Sequence, residues 1–362
     1  MALAVASVYG ASLAKWFGAS HSPREFVFVG QLFIERSDTS QVIKQGPVRP
    51  TSWTGFDGQF FYYIAMDPRE AVHSMDLPGY RYQRIAYPLL ARLLVLGRPS
   101  LIPDGLLAFN LLAVVAGTAA LAGWLMRRGV TPWVAAVWGL LPGQVFAIEK
   151  DLSEASAYAW VAVGLWVRDR FPILAGAVFG LAGLTRETTL IFPAVLLAAD
   201  VFALRGERRV QPWLRALLAA GLAAGPFVAW KLFLWHWLGH ADLPLGEAFT
   251  VIPFGGFITY HAAHELVPAV LLPALVCTAA AAWALWRRYW RVEVALLLVN
   301  LAVLIVFSSG QVYVWWPSVL RMELGFALAA VMLLAVLPTQ RWFWLAAGLW
   351  LWLTPILLLH PV

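Results

Sequence analysis

Apolar positions along this chain run together in long, nearly uniform windows, with neither the two-residue alternation of strands nor the one-sided stripe of surface helices. The windows are Ala2–Gly18, Pro103–Met126, Thr131–Ile148, Ser153–Val167, Phe171–Leu184, Thr188–Leu204, Pro212–Leu238, Leu266–Trp286, Val292–Ser308, Ser318–Leu337 and Trp342–Leu359. Runs of this kind predict membrane-crossing helices, eleven in all. The stretch from Phe171 to Leu204 fixes part of that count. As one helix it would be about 51 Å long against a bilayer core of about 30 Å, so it must be two helices divided at TRETT. The first arm is then only about 21 Å long, too short to cross upright. Arg186 and Glu187, inside the break, are therefore predicted below the membrane surface, where ionisable groups are costly and read as functional.

The largest polar stretch is Ala19–Ile102, between the first two windows. Within it, Asp57–Asp67 predicts a helix that Pro68 stops. From Tyr80 to Gly97 the pattern sets Arg81, Arg84 and Arg92 against Leu89, Leu90, Leu93 and Leu94, as in a segment lying flat in the interface. Ser37–Thr54, rich in Pro, Ser, Thr and Gly, predicts irregular loop. The expected organisation is a single polytopic domain over residues 1–362, with a first span (1–18), an outer loop carrying two juxtamembrane helices (19–102) and the remaining spans (103–362). The fold class is an all-α integral membrane bundle.

Composition agrees. The 362 residues are 61% hydrophobic and 13% charged, and the mean hydropathy is +0.72, whereas soluble domains carry about 25% charged residues. A net charge of +6 would suggest nucleic acid in a soluble chain. Here the arginines fall in short clusters between apolar runs, where they orient helices, and nucleic acid is set aside. One set of connections holds Arg127 and Arg128; Arg168 and Arg170; Arg205, Arg208 and Arg209; Arg287, Arg288 and Arg291; and Arg341, while the other short connections hold Lys150, Arg186 and Arg321. The positive-inside rule makes the first set cytoplasmic, with the N-terminus inside, the C-terminus outside and Ala19–Ile102 on the outer face. The single cysteine, Cys277, excludes an internal disulfide, a redox pair and a thiolate metal site. Met1 to Ala14 lacks a basic leader and Lys15 follows the apolar run, so this segment reads as a first span and not a cleaved signal.

The polar residues that topology leaves unexplained all fall on the outer side. They are Asp57, Gln59, Tyr62 and Asp67; Arg81 and Arg84; the EKDLSE run with Glu149, Lys150, Asp151 and Glu154; Arg186 and Glu187; the YHAAHE run with His261, His264 and Glu265; and Arg321 with Glu323. A transport path needs polar groups near the bilayer centre, and the windows hold few, which favours outer-face chemistry. Acids and arginines converging from several loops suit group transfer from a lipid-phosphate donor. A carboxylate acts as general base towards a hydroxyl, and arginines stabilise the departing phosphate. Each candidate also has a plainer role. Asp57 suits a helix N-cap, Asp67 a helix end, and Glu154 a helix N-terminus. Arg81 and Arg84 suit headgroup contact, Lys150 with Asp151 a solvated pair, Arg186 with Glu187 a structural pair, and Arg321 an interfacial anchor. HAAHE is neither HExxH nor HxxEH and lacks a third ligand, so no metal is assigned. Trp53, Trp315 and Trp316 suit sugar stacking and belt packing equally.

The run GFDGQFFYYIAMDP with YRYQRIAYPLLARLL, followed by LTRETTLIFP, resembles the GT-C superfamily of polyprenyl-phosphate-sugar-dependent glycosyltransferases, in particular bacterial mannosyltransferase-like or cell-surface glycopolymer formation proteins. The architecture covers the whole chain; the motifs cover about a tenth of it. The resemblance implies a multi-span bundle in the bacterial inner membrane and inverting transfer, with Asp57 as catalytic base. It implies a polyprenyl-phosphate-sugar donor, a glycan, lipid or protein acceptor and surrounding membrane lipids; no cofactor is assigned from the residues, and a divalent metal is left open. Donor and substrate contacts are expected from Gln59, Tyr62, Arg81, Arg84, Glu154, Arg186, Glu187, His261 and Arg321. The chain departs from the commoner pair of adjacent acids, since Gly58 and Gln59 follow Asp57 and the next acid is Asp67. Two other readings stand beside this one: a glycan polymerase or ligase with a diphosphate-linked donor, and a non-enzymatic lipid or glycan transporter.

Overall fold

The computed structural model describes residues 1–239, 242, 252–259, 266–306, 312–313, 315 and 317–360. Among these residues it is all-helical, with one isolated bridge between Gly30 and Ser52 as its only strand-like pairing. Four helical segments are long and apolar enough to cross a membrane: Pro99–Met126, Val210–Leu238, Val267–Trp286 and Arg341–Leu359. Leucines, valines and aromatic residues of Val210–Leu238 point outward along its length, among them Leu217, Val228, Leu232 and Trp235. Such a surface suits lipid and not water.

The other apolar windows form shorter helices. TRETT divides its window as expected: the helices are Pro172–Thr185 and Ile191–Ala203, with Arg186 extended between them and a tight turn over Glu187–Leu190. Val292–Val306 and Leu324–Val336 have 15 and 13 residues, about 20–23 Å each, so neither crosses a bilayer core upright. Thr131–Ile148 is two helices, Val134–Gly139 and Pro142–Glu149. Leu141 is extended because the proline that follows disfavours the helical region for it. Ser318–Leu337 likewise divides, into Pro317–Met322 and Leu324–Val336. The eleven apolar windows are thus fewer full-length crossings and several shorter helices.

The bundle has two polar ends. At the C-terminal end of Ile102–Met126, Arg127 and Arg128 pair with Asp169 at 3.7 and 3.2 Å, Arg168 pairs with Asp200, and Arg128 approaches Glu293 at 3.9 Å. The Arg127–Arg128 and Arg168–Arg170 connections, grouped by charge alone, meet here. Towards the other end of that 25-residue helix, about 37 Å long, Asn110 donates to the carbonyl of Leu152 at 3.0 Å, in the EKDLSE run. The first and last helices lie together, with Ser12 Oγ donating to the Leu358 carbonyl at 2.7 Å.

The outer segment builds its own core. The Gly58–Met66 helix is buried at every residue, around Phe60, Phe61, Tyr62, Tyr63 and Ile64, and packs on Val27, Val29, Phe33 and Ile43. A backbone clip fixes its approach. Gln31 and Leu32 amides donate to Ser52 and Trp53 carbonyls at 2.9 Å each, and Phe56 N–H donates to the Phe28 carbonyl at 3.0 Å. Ser37–Thr54 contains one helical turn, Gln41–Lys44, capped by Ser40, and is otherwise irregular as expected. The segment from Tyr80 to Gly97 is not one continuous helix: a turn at Pro78–Arg81 and a tighter one at Tyr82–Arg84 lead into Ala86–Leu94. Its leucines face outward, with Leu93 67% and Leu96 77% exposed, while Arg84 is buried. Arg92 turns inward and donates to the Met66 carbonyl at 2.9 Å, closing the C-terminal end of Gly58–Met66.

Candidate active site

Asp57 stands where the clipped outer segment meets the bundle. It occupies the N-cap position of Gly58–Met66, yet its side chain makes no capping hydrogen bond. The cap reading is therefore corrected: two arginines compete for the carboxylate and win, because charge-assisted bonds exceed a neutral N–H contact. Arg81 Nη1 lies 3.0 Å from Oδ1 and Arg321 Nη2 lies 2.7 Å from Oδ2. Gly58 permits this placement by its lack of a side chain, since a Cβ there would sit 2.1 Å from the Lys150 carbonyl oxygen. Gly30 is needed for the same reason, against the Thr54 carbonyl carbon at 2.2 Å.

From Asp57 the network runs into the bundle. Arg321 Nη1 lies 3.4 Å from Glu154 Oε1, and Arg186 Nη1 lies 2.7 Å from the same oxygen. Glu154 and Arg186 are 1% and 5% exposed. The Arg186–Glu154 contact has ion-pair distance without hydrogen-bond alignment, and both Glu154 oxygens, Arg186 Nη1 and Arg321 Nε are buried without a hydrogen-bond partner among the described residues. Buried polar atoms in this state cost about 1–3 kcal/mol each.

On the outer flank Arg81 forks onto Asp76, with Nε and Nη2 each at 2.8 Å, and its guanidinium lies 4.1 Å from the Phe60 ring centroid. Arg84 makes a two-pronged pair with Glu187 at 3.0 and 2.7 Å and donates to Tyr80 Oη at 2.6 Å. Lys231 Nζ reaches the Gly79 carbonyl at 3.3 Å and Gln83 Oε1 at 3.4 Å, holding this turn in place.

Burial alone would raise the Asp57 pKa, but Arg81 and Arg321 overcome it and hold the carboxyl well below the usual carboxylate range. Glu187 follows the same pattern: burial opposes and Arg84 prevails, bringing it down to about 2. Asp151 is the reverse, with burial pushing it well above the usual range. Its two oxygens have no hydrogen-bond partner among the described residues, and its φ of 47° is left-handed. The solvated-pair reading of Lys150 and Asp151 is corrected, because both are buried. The Lys150 ammonium lies over the Phe28 ring at 4.6 Å.

The predicted residues thus divide. Asp57, Arg81, Glu154, Arg186 and Arg321 form one connected cluster, flanked by Arg84 and Glu187. Gln59 and Tyr62 stand outside it. The Gln59 amide accepts from Gly30 N–H at 3.0 Å and donates to the Thr54 carbonyl at 2.9 Å, which occupies it in the clip. Tyr62 is fully buried with its hydroxyl against Gly46. Asp67 ends its helix, accepting from Glu70 N–H at 3.3 Å. His261, His264, Glu265 and Trp316 lie outside the described residues. Trp315 packs edge-on against Phe56 and Phe146 at 4.8 and 5.4 Å, and Arg321 lies 5.2 Å from the Phe56 ring centroid, so an aromatic wall adjoins the cluster. Trp53 is 64% exposed. Sequence reasoning missed Asp76, Tyr80 and Lys231. Of these, only Lys231 carried a signal, as a lone lysine inside an apolar window.

No protein-family model matches this sequence, and no curated protein matches it.

Proposed function

We propose that this protein is a membrane glycosyltransferase of GT-C type, moving a sugar from a polyprenyl-phosphate carrier to an acceptor hydroxyl with inversion. The observation that carries the reading is the Asp57 carboxylate bracketed by Arg81 and Arg321, with Arg321 linked through Glu154 to Arg186. The acceptor oxygen attacks the anomeric carbon as its proton passes to Asp57, and the bond from that carbon to the phosphate oxygen breaks. The phosphate leaves with the bonding electrons into the donors of Arg321 and Arg186. Phe56 and Trp315 offer an aromatic wall to a sugar ring. In the free protein the arginines neutralise Asp57; an incoming phosphate competes for them and restores the basicity the carboxylate needs. The basic end faces the cytoplasm of a bacterial inner membrane, the N-terminus lies inside, and Asp57 lies on the outer face of the bundle.

Transfer assayed with purified Asp57→Asn protein and a polyprenyl-phosphate-sugar tests the reading. Turnover is expected to fall while donor binding persists; near-normal turnover with intact fold would remove Asp57 from the chemistry. One observation favours a second reading. The two arginines hold Asp57 ionised and weakly basic in the free protein, which suits a polymerase or ligase whose arginines expel a diphosphate with no protein base. That enzyme would keep its turnover in Asp57→Asn and lose it in Arg321→Lys. Topology is tested by single cysteines in a Cys277→Ala background: the exposed positions 53 and 76 of the outer segment should react with an impermeant thiol reagent from the side opposite to 128 and 288.

A further inference from the structure

At the basic end the helices Pro172–Thr185, Ile191–Ala203 and Val210–Leu238 enclose a groove of about 410 Å³ that takes no part in the site described above. Pockets that bind small molecules span about 300–1,000 Å³. Its walls are three helical stripes, with Ala175 and Gly176 on the first helix, Leu196 and Leu197 on the second, and Ala216 and Ala220 on the third. The first and third helices are in tight contact, since a Cβ on Gly176 would fall 2.4 Å from the Ala219 carbonyl oxygen. The second stands off, and the gap it leaves runs from Pro193 to Ala203, about 15 Å along the helix.

The charges at this groove are unequal in kind. Its two acids are already answered, Asp200 by Arg168 and Asp169 by Arg127 and Arg128. Arg215, also lining it, is exposed and makes no ion pair among the described residues. Arg205, Arg208 and Arg209 follow the second helix in an exposed connection. An apolar slot parallel to membrane helices, with an unanswered guanidinium among its lining, matches a molecule that has a long apolar chain and an anionic head. We propose that this groove binds an anionic phospholipid of the adjacent leaflet, with an acyl chain between the three helices and the phosphate on Arg215. The site is independent of the transfer reaction.

Native mass spectrometry of the detergent-solubilised full chain, titrated with phosphatidylglycerol and phosphatidylcholine of equal chain length, tests this. Wild type is expected to take up one phosphatidylglycerol at least about fivefold more tightly than phosphatidylcholine, and Arg215→Ala to remove about fivefold, the contribution of one arginine at a lipid surface. Arg170→Ala, at the same end but outside the groove lining, should leave the preference intact. Ala216→Phe, which fills the slot, should weaken both lipids, with the melting temperature followed to show that the chain is folded. If Ala216→Phe unfolds the chain, the Arg215→Ala and Arg170→Ala pair decides alone. Equal affinity for the two headgroups in wild type, or equal losses in Arg215→Ala and Arg170→Ala, would overturn the proposal. Competition by millimolar glycerol 3-phosphate would also overturn it, by assigning the site to a free anion with no need for the chain.

Discussion

At one end of the helix bundle the ion pair Arg186–Glu154 is 5% and 1% exposed; at the other, Arg128–Asp169 is 26% and 32% exposed. Both ends tie several connections together through arginines and acids. The exposed pairs join neighbouring loops, keep much of their hydration, and are worth little individually. The buried network instead crosses the chain, from Asp57 to Arg321 and from Arg84 to Glu187, and leaves polar atoms unsatisfied. Desolvating such groups costs several kcal/mol per ion, and their mutual attraction repays this only with good geometry. An arrangement that is expensive and incompletely satisfied is poorly explained as a stability device, and this is what sets it apart from the exposed end. The short helices serve it: Pro172–Thr185 and Leu324–Val336 stop below full membrane thickness, so Arg186 and Arg321 end inside the bundle.

The strongest way to break this contrast is at Asp57. Asp57→Asn keeps the shape, removes the proton acceptor and leaves Arg81 and Arg321 without their shared anion. Turnover is expected to fall about 10²–10⁴-fold with donor binding retained. The next effect belongs to Glu154. Glu154→Ala strands the guanidinium of Arg186 in a dry site, and breaking a buried pair this way costs about 3–5 kcal/mol. Chemical denaturation in detergent should register the loss; a change under about 1 kcal/mol would mean that water reaches the network and that the two ends are alike after all.

Part of this was legible in the chain. The break at TRETT follows from helix length alone, and the grouping of Arg128 with Arg168 follows from charge alone; both are present. The pairing of Asp57 with Arg321 was not legible, since 264 positions separate them and no local pattern links the two. The GFDGQFFYY run mixed two roles that residue type cannot separate. Asp57 faces the arginines, while Gln59 and Tyr62 hold the outer segment together. The Tyr80–Gly97 pattern was visible, but not which of its faces is buried. In a membrane the leucines lie outside, so amphipathicity gives the stripe and leaves its direction open.

A smaller effect is expected where the outer segment touches the bundle. Gly58→Ala would drive a Cβ to 2.1 Å from the Lys150 carbonyl oxygen, and backbone on both sides has little room to yield. A loss of about 1–3 kcal/mol is expected from the overpacking. Activity should fall with it, because Asp57 is the adjacent residue. Normal activity in a folded Gly58→Ala protein would show that Asp57 needs no fixed seat.

The pH profile separates the free site from the occupied one. Arg81 and Arg321 hold Asp57 well below the usual range in the free protein, so its acid limb in kcat/KM should lie below pH ~4, the unperturbed carboxylate value. The stabilisation that Asp57 contributes has the same sign: full above that value, and lost as pH falls through the depressed folded one. Once donor phosphate draws Arg321 away, the limb in kcat should move to higher pH. Coincident limbs would mean that the arginines never leave the carboxylate, and would favour the diphosphate reading.

The smallest effect is predicted at the basic end. Asp169→Asn removes the partner that Arg127 and Arg128 share at 3.7 and 3.2 Å. These side chains are 26–32% exposed, so water and salt already compete for them and the pair is worth about 0–1 kcal/mol. The arginines left behind stay solvated, whereas Arg186 without Glu154 does not. Denaturation midpoints for Asp169→Asn and Glu154→Ala, measured in the same detergent at low and high salt, decide the comparison. The Asp169→Asn change should shrink towards zero as salt screens an exposed pair, and the Glu154→Ala change should persist. A salt-insensitive loss at Asp169 as large as that at Glu154 would show that the basic end is as dry and as strained as the outer one, and the inference of a specialised site from buried, unsatisfied charge would fail.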